Sequence, residues 1–157
     1  MSTPGHYIVF ELADFSYGVR SEDVLHLEAL DHVTPVPNTA AAVAGVVFSR
    51  GEVLPALDLR RRFGLPPTPA TPQTRLIFIQ AHQRRVALIV DRAREFRSIP
   101  DSSIRPLAGN LHGIDGNYVL GHANIGDKVV LLLDLARVLT LEEVIPPLLS
   151  TEPPASL

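Results

Sequence analysis

A pattern that occurs twice constrains this chain more than any single motif. Pro55-Ala56-Leu57-Asp58-Leu59-Arg60-Arg61 returns as Leu131-Leu132-Leu133-Asp134-Leu135-Ala136-Arg137: an apolar stretch, an Asp, then a few helix-compatible residues. The beginnings correspond as well, because Ile8-Val9-Phe10 and Leu76-Ile77-Phe78 each precede a second apolar stretch. Between the copies lies Pro66-Pro67-Thr68-Pro69-Ala70-Thr71-Pro72, whose fixed φ angles and missing amide donors make a stiff extended connector. The simplest architecture is one domain over residues 7–139, built of two small β-barrels at 7–65 and 74–139 and joined through 66–73.

The apolar segments are short, rich in Val, Ile and Leu, and bounded by turn residues, which reads as strand rather than helix. Strands are expected at 7–12, 15–19, 46–48, 53–57, 76–79, 86–90 and 129–133. Arg50-Gly51, the residues 82–85 and Gly126-Asp127 supply turn chemistry, so neighbouring strands should pair mostly antiparallel. Helix is a minor component: Asp58 and Asp134 are placed to cap short helices, and Thr140 to cap a last turn with Glu142 and Glu143. The segments 86–90 and 129–133 are apolar at every position, so both of their faces must be covered, by the other half-barrel, a returning helix or a partner.

At 157 residues the chain buries about 68–70% of its unfolded surface and needs no covalent staples. There is no cysteine, which excludes disulfides, thiolate metal sites and thiol nucleophiles. The first residues carry neither a basic nor an apolar segment, and apolar runs stop at about five residues, so secretion and membrane insertion are not expected. A formal charge of −3, spread without a long single-sign block, gives little support to a nucleic-acid or lipid footprint.

Three stretches carry a resemblance. Asp23-Val24-Leu25-His26-Leu27 is followed by Thr34-Pro35-Val36-Pro37-Asn38; Gly45-Val46-Val47-Phe48-Ser49-Arg50-Gly51 runs into Glu52-Val53-Leu54-Pro55-Ala56-Leu57-Asp58-Leu59-Arg60. The third, Arg85-Val86-Ala87-Leu88-Ile89-Val90-Asp91-Arg92, continues through Ile104-Arg105-Pro106 and Tyr118-Val119-Leu120-Gly121. In this order they resemble the CheW-like family of chemotaxis coupling proteins, and the Arg-Gly turn leading to Pro-x-x-Asp-Leu-Arg is the most specific element.

The resemblance implies a mainly β fold of two five-stranded, SH3-like barrels with a groove between them, and a non-enzymatic adaptor without cofactor or metal. Implied partners are the regulatory domain of a CheA-type histidine kinase and the cytoplasmic tip of a methyl-accepting chemoreceptor, in the cytoplasm at membrane-associated receptor arrays. By the same resemblance Arg50 and Gly51 match the coupling turn, Val24 and Leu27 an interaction surface, and Val86 with Ala87 a groove-lining strand. Two departures fall on the expected protein-interaction set: Phe48-Ser49 stands where Asn-Leu is usual, and His26 where an acidic residue is common. An adaptor for pilus motility, development or second-messenger control fits the same residues.

Other constellations have plainer readings. His6, His26, His32, His82, His112 and His122 show no ligand spacing. Asp58, Asp91 and Asp134 each follow an apolar strand, where capping or turn closure is the ordinary role. Gly-x-Ser-x-Gly, Gly-x-Gly-x-x-Gly and a P-loop are absent, and Lys128 is the sole lysine, so hydrolase chemistry has no visible machinery. Arg60-Arg61-Arg62 and Arg84-Arg85 are the best case for a small nucleic-acid-binding barrel, but aromatics are 6% of the chain and stacking platforms are scarce. A solvated helix face and a hairpin tip are the expectation for these runs. The Pro-rich residues 146–157 are expected to form a disordered tail.

Overall fold

The computed structural model describes residues 4–39, 41–106 and 118–139. The turn expected at Thr140, His112 and the tail 146–157 lie outside the described residues. In chain order the elements are β1 (Pro4–Leu12), β2 (Phe15–Arg20), β3 (Val24–Ala29), β4 (Val43–Ser49), β5 (Glu52–Asp58), α1 (Leu59–Arg62), β6 (Arg75–Ala81), β7 (Arg84–Val90), β8 (Arg92–Pro100), β9 (Val119–Ile125), β10 (Lys128–Leu133) and α2 (Leu135–Val138). Two short 3₁₀ turns, Ser21–Asp23 and Asp101–Ser103, complete the set.

The strands form two five-stranded sheets, ordered β8-β1-β2-β10-β9 and β3-β6-β7-β5-β4. Both are read alike if β1 to β5 of the first half correspond to β6 to β10 of the second. The division of the barrels at 66–73 is corrected by this order. Each half gives its opening hairpin to the sheet built from the last three strands of the other half. Barrel one therefore combines β1 and β2 with β8, β9 and β10, whereas barrel two is the continuous run β3 to β7. Of the four joins made by this exchange, β1 with β8 and β3 with β6 are antiparallel, whereas β2 with β10 and β5 with β7 are the parallel pairs in otherwise antiparallel sheets.

One pair of backbone hydrogen bonds bridges the open edges of each sheet. Thr34 and Val46 exchange theirs at 2.9 and 2.8 Å, and Arg105 and His122 theirs at 2.9 and 2.8 Å. A glycine precedes the bridging residue on the later strand in both cases. A Cβ on Gly45 would lie 2.1 Å from the Thr34 carbonyl oxygen, and one on Gly121 would lie 2.5 Å from that of Arg105. Only a residue without a side chain lets the backbones approach this closely.

Three apolar clusters hold the fold. Tyr7, Val9, Ile99, Ala123, Val130 and Leu132 fill barrel one. Val47, Leu54, Ala56, Leu76, Phe78 and Ala87 fill barrel two. Between the barrels lies the largest cluster, with Phe10, Tyr17, Phe63, Val86, Leu88, Leu131 and Leu133 among its members. Alternate residues of a strand face opposite ways. On β10, Val130 and Leu132 enter barrel one while Leu131 and Leu133 enter the shared core. Apart from Val129, which is exposed, the uniformly apolar strands are thus covered on both faces from within the chain.

Local chemistry follows the sequence closely. Asp58 accepts the Arg60 amide at the start of α1, and Asp134 accepts the Arg137 amide at the start of α2. The tight hairpin turns place Arg50 and Gly51 (φ 51° and 82°) and His82 and Gln83 (φ 53° and 63°) in the left-handed region.

Candidate protein-interaction site

The β4–β5 hairpin presents the most exposed large apolar residue of the described chain. Phe48 and Val53 face each other across the two strands and are 73% and 60% exposed. Two pairs along the ladder, Val46 and Pro55 continue the same outer face, half-buried. Pleating sends their neighbours Val47 and Leu54 into barrel two, so the hairpin is anchored on one side and bare on the other. The Arg50-Gly51 turn closes the hairpin, with Arg50 exposed and its charge felt by Glu28.

Directly behind the turn, a polar joint spans the seam between β3 and β4. His26 stacks on Phe78 with ring centres 4.4 Å apart, and its Nε2 lies 2.8 Å from Glu28 Oε2 and 3.4 Å from Ser49 Oγ. The buried Ser49 hydroxyl donates to the same Glu28 oxygen in a short hydrogen bond. That bond is the main reason the Glu28 carboxyl is held below the ordinary carboxylate range; burial opposes the shift, and His26 and the charge of Arg50 add to it. His26 and Ser49, two residues at which the sequence departs from the family pattern, therefore meet at one carboxylate. They form a single local feature. A groove of about 290 Å³ beside it is lined by Glu28, His32, Thr34 and Phe48, among others.

Of the expected site residues, the fold gathers Phe48, Arg50, Gly51 and His26 at this corner. Leu27 is partly exposed on β3 but points away from His26 and Glu28, and Val24 packs against the shared core. Val86 and Ala87 are corrected: both are 0% exposed, Val86 in the shared core and Ala87 inside barrel two, so no partner reaches them in this fold. Val53 and Leu25 are exposed apolar residues the sequence reading missed. The pleat that turns Leu54 inward turns Val53 outward, but 53–57 is apolar throughout, so the sequence itself carries no alternation to mark Val53 as exposed.

Of the arginine runs, Arg61 is exposed as expected of a solvated helix face and Arg84-Arg85 follow the hairpin turn, but Arg60, Arg62, Arg84 and Arg85 are engaged with the fold. Arg60 grips Asp91, Arg62 lies over the Tyr118 ring at 4.6 Å, and the buried Arg84 donates from Nε to the Leu139 carbonyl at 2.9 Å. Arg85 pairs with Glu52 at 2.6 Å. Asp91, expected in a turn role, accepts the Ala13 amide at 2.8 Å and so fixes the β1–β2 turn. Among the described residues no group of three His, Asp or Glu side chains gathers as a metal site, and no helix is long and apolar enough to cross a membrane.

Comparison with known proteins agrees with this architecture. The CheW-like domain profile matches residues 6–143. The chain belongs to the CheW-like family. It is 28% identical to the chemotaxis protein CheW of Klebsiella aerogenes over 137 residues, covering 87% of this chain and 82% of that one. Protein FrzA of Myxococcus xanthus is 34% identical over 100 residues, 64% of this chain and 62% of its own. Among solved structures, the scaffolding protein TtCheW from Thermoanaerobacter tengcongensis superposes with a TM-score of 0.78 at 30% identity, covering 84% of this chain and 90% of that one. The CheW-like fold of two SH3-like barrels, with its adaptor and scaffold character, is thus the frame for the corner around Phe48.

Proposed function

We propose that this protein is a non-enzymatic adaptor that couples a methyl-accepting chemoreceptor to a CheA-type histidine kinase, in the cytoplasm at receptor arrays. The observation that carries the reading is the Phe48 and Val53 pair. It is a bare apolar face on a hairpin whose turn carries the exposed Arg50. Exposed aromatic side chains next to an arginine are what hot spots of protein interfaces are made of. The Arg50 fork adds directional hydrogen bonding to a partner carboxylate or carbonyl. Coupling then consists of two binding events on one small scaffold, each biasing the other through contacts rather than through chemistry. The buried positions of Val86 and Ala87 leave the surface around Phe48 and Arg50 as the part of the expected site that a partner can use.

Calorimetric titration with the organism's own kinase regulatory domain, and separately with a receptor-tip fragment, tests this. Saturable binding to the wild type is expected, weakened by about tenfold or more in Phe48→Glu with an unchanged melting temperature. Folded wild-type protein that binds neither fragment would refute the adaptor reading.

A further inference from the structure

Strand β8 pairs with β1 along one edge and ends its sheet. Among the described residues no other strand pairs with β8; at its end the Ser103 hydroxyl donates to the Pro100 carbonyl at 2.8 Å, and the sheet is bridged further on, where Arg105 meets His122. Such an edge is a row of unused amides and carbonyls, to which an extended peptide can add as a further strand.

Its side chains select by charge. A groove of about 310 Å³ along the start of β8 is lined by Arg75, Arg92 and Arg94, with Gln73, against one carboxylate, Glu95. Glu95 already lies 3.5 Å from Arg97. Beyond the groove, Glu11 is shared by Arg94 at 3.2 Å and by Arg92 and Lys128 at 3.9 Å each. One carboxylate does not neutralise three cations, so the patch stays positive on a chain whose formal net charge is −3. Phe96, 61% exposed and stacked on His6 with ring centres 5.5 Å apart, adds an apolar foothold on the same strand.

We propose that the β8 edge is a docking site for an extended acidic polypeptide segment, which pairs with the strand and lays its carboxylates against Arg75, Arg92 and Arg94. Backbone pairing fixes the register, and the arginines fix the sign of charge accepted. A charged edge also deters two copies from pairing strand to strand, but that effect needs neither a groove nor an exposed ring. A nucleic acid or an anionic bilayer would draw on the charge alone. The backbone edge left unpaired by the described residues suits a polypeptide. This surface is built on β8 of barrel one, with Arg75 contributed by β6 of barrel two; it is apart from the Phe48 hairpin and does not depend on which kinase or receptor that hairpin meets.

The test is titration of the ¹⁵N-labelled full chain with a short peptide of alternating Glu and Thr. Amide shifts centred on residues 92–98 are expected, with affinity about tenfold lower in the Arg92→Glu, Arg94→Glu double variant. Raising the salt from about 0.1 M to about 1 M, which shortens the screening length from about 10 Å to about 3 Å, weakens binding in parallel. Arg94→Gln, a milder change, weakens it in the same direction if the double variant fails to fold. N-methylation of alternate peptide amides abolishes binding. Shifts centred elsewhere, or undiminished binding of the N-methylated peptide, overturn the proposal. Engagement of β8 by oligothymidylate or by phosphatidylglycerol vesicles but not by the peptide overturns it too.

Discussion

The guanidinium of Arg60 meets the carboxylate of Asp91 through two hydrogen bonds, Nε to Oδ1 at 2.8 Å and Nη2 to Oδ2 at 2.5 Å. This fork ties α1 to the end of β7, and through the Ala13 amide on Asp91 to the β1–β2 turn as well. It therefore crosses from one barrel to the other.

Burial works to raise the Asp91 carboxyl, but the hydrogen bonds from Arg60 and Ala13, with the Arg60 charge, hold it below its ordinary value of 3.8. A lowered folded value contributes stability that is fully present above the unfolded value and lost as pH falls through the folded one. Wild-type stability is expected to decline below about pH 4 more steeply than that of Asp91→Asn, which is about 2 kcal/mol less stable at neutral pH. Urea unfolding across a pH series reads both; parallel acid profiles for the two proteins would show the fork to be idle.

Val86→Glu and Phe48→Glu separate core from surface. The first places a charge where Val86 is fully enclosed and is expected to cost several kcal/mol, enough to unfold a domain of this size. The second leaves the melting temperature within a few degrees. Thermal unfolding followed by circular dichroism distinguishes them, and a folded Val86→Glu protein would mean the shared core opens.

The two bridging glycines differ from the turn glycine in what they exclude. Gly45→Ala and Gly121→Ala drive a Cβ into a facing carbonyl and are expected to cost about 3 kcal/mol each. At Gly51 the space around the added atom is open and only φ, +82°, resists, so Gly51→Ala costs about 1 kcal/mol. Denaturant midpoints give the order, and equal losses at all three sites would contradict the bridging role.

Tyr17 buries its hydroxyl between the barrels without a hydrogen-bond partner among the described residues. Burial, with the Asp91 charge adding to it, pushes its ionisation far above the usual range, so the group stays neutral. Removing an unpaired buried hydroxyl should help: Tyr17→Phe is expected to gain about 1 kcal/mol. A loss in chemical denaturation would reveal an ordered water bound to that oxygen.

Strands were legible in the sequence where both faces are buried, as in β7 and β10, because a run of Val, Leu and Ile has no other simple reading. Strands β3 and β8 carried no such signal. Both lie at sheet edges, and β8 reads Arg-Ala-Arg-Glu-Phe-Arg, polar on the surface it shows to water. Strand β9 hid behind Gly121, His122 and Asn124, the first required by the close approach of Arg105. The caps and turns could be read because Asp58, Asp134 and Arg50-Gly51 act on neighbours a few residues away. The hairpin exchange could not, since periodicity reports which residues are buried but not against which half. The misplacement of Val86 and Ala87 has that same origin: Val86 lines the core between the barrels and Ala87 that of barrel two, and both cores are made by the exchange.

The exchange also sets an order of events during synthesis. Strands β3 to β7 are contiguous, so barrel two has all its parts once Val90 leaves the ribosome. Barrel one does not, because β1 and β2 emerge first but Ser16 pairs with Val130, so that hairpin waits for almost the whole chain. Until Leu133 appears, its apolar side can rest only on the barrel completed before it. The opening hairpin of the domain is thus the last part of it to be enclosed, and the nascent domain templates its older strands on its younger ones.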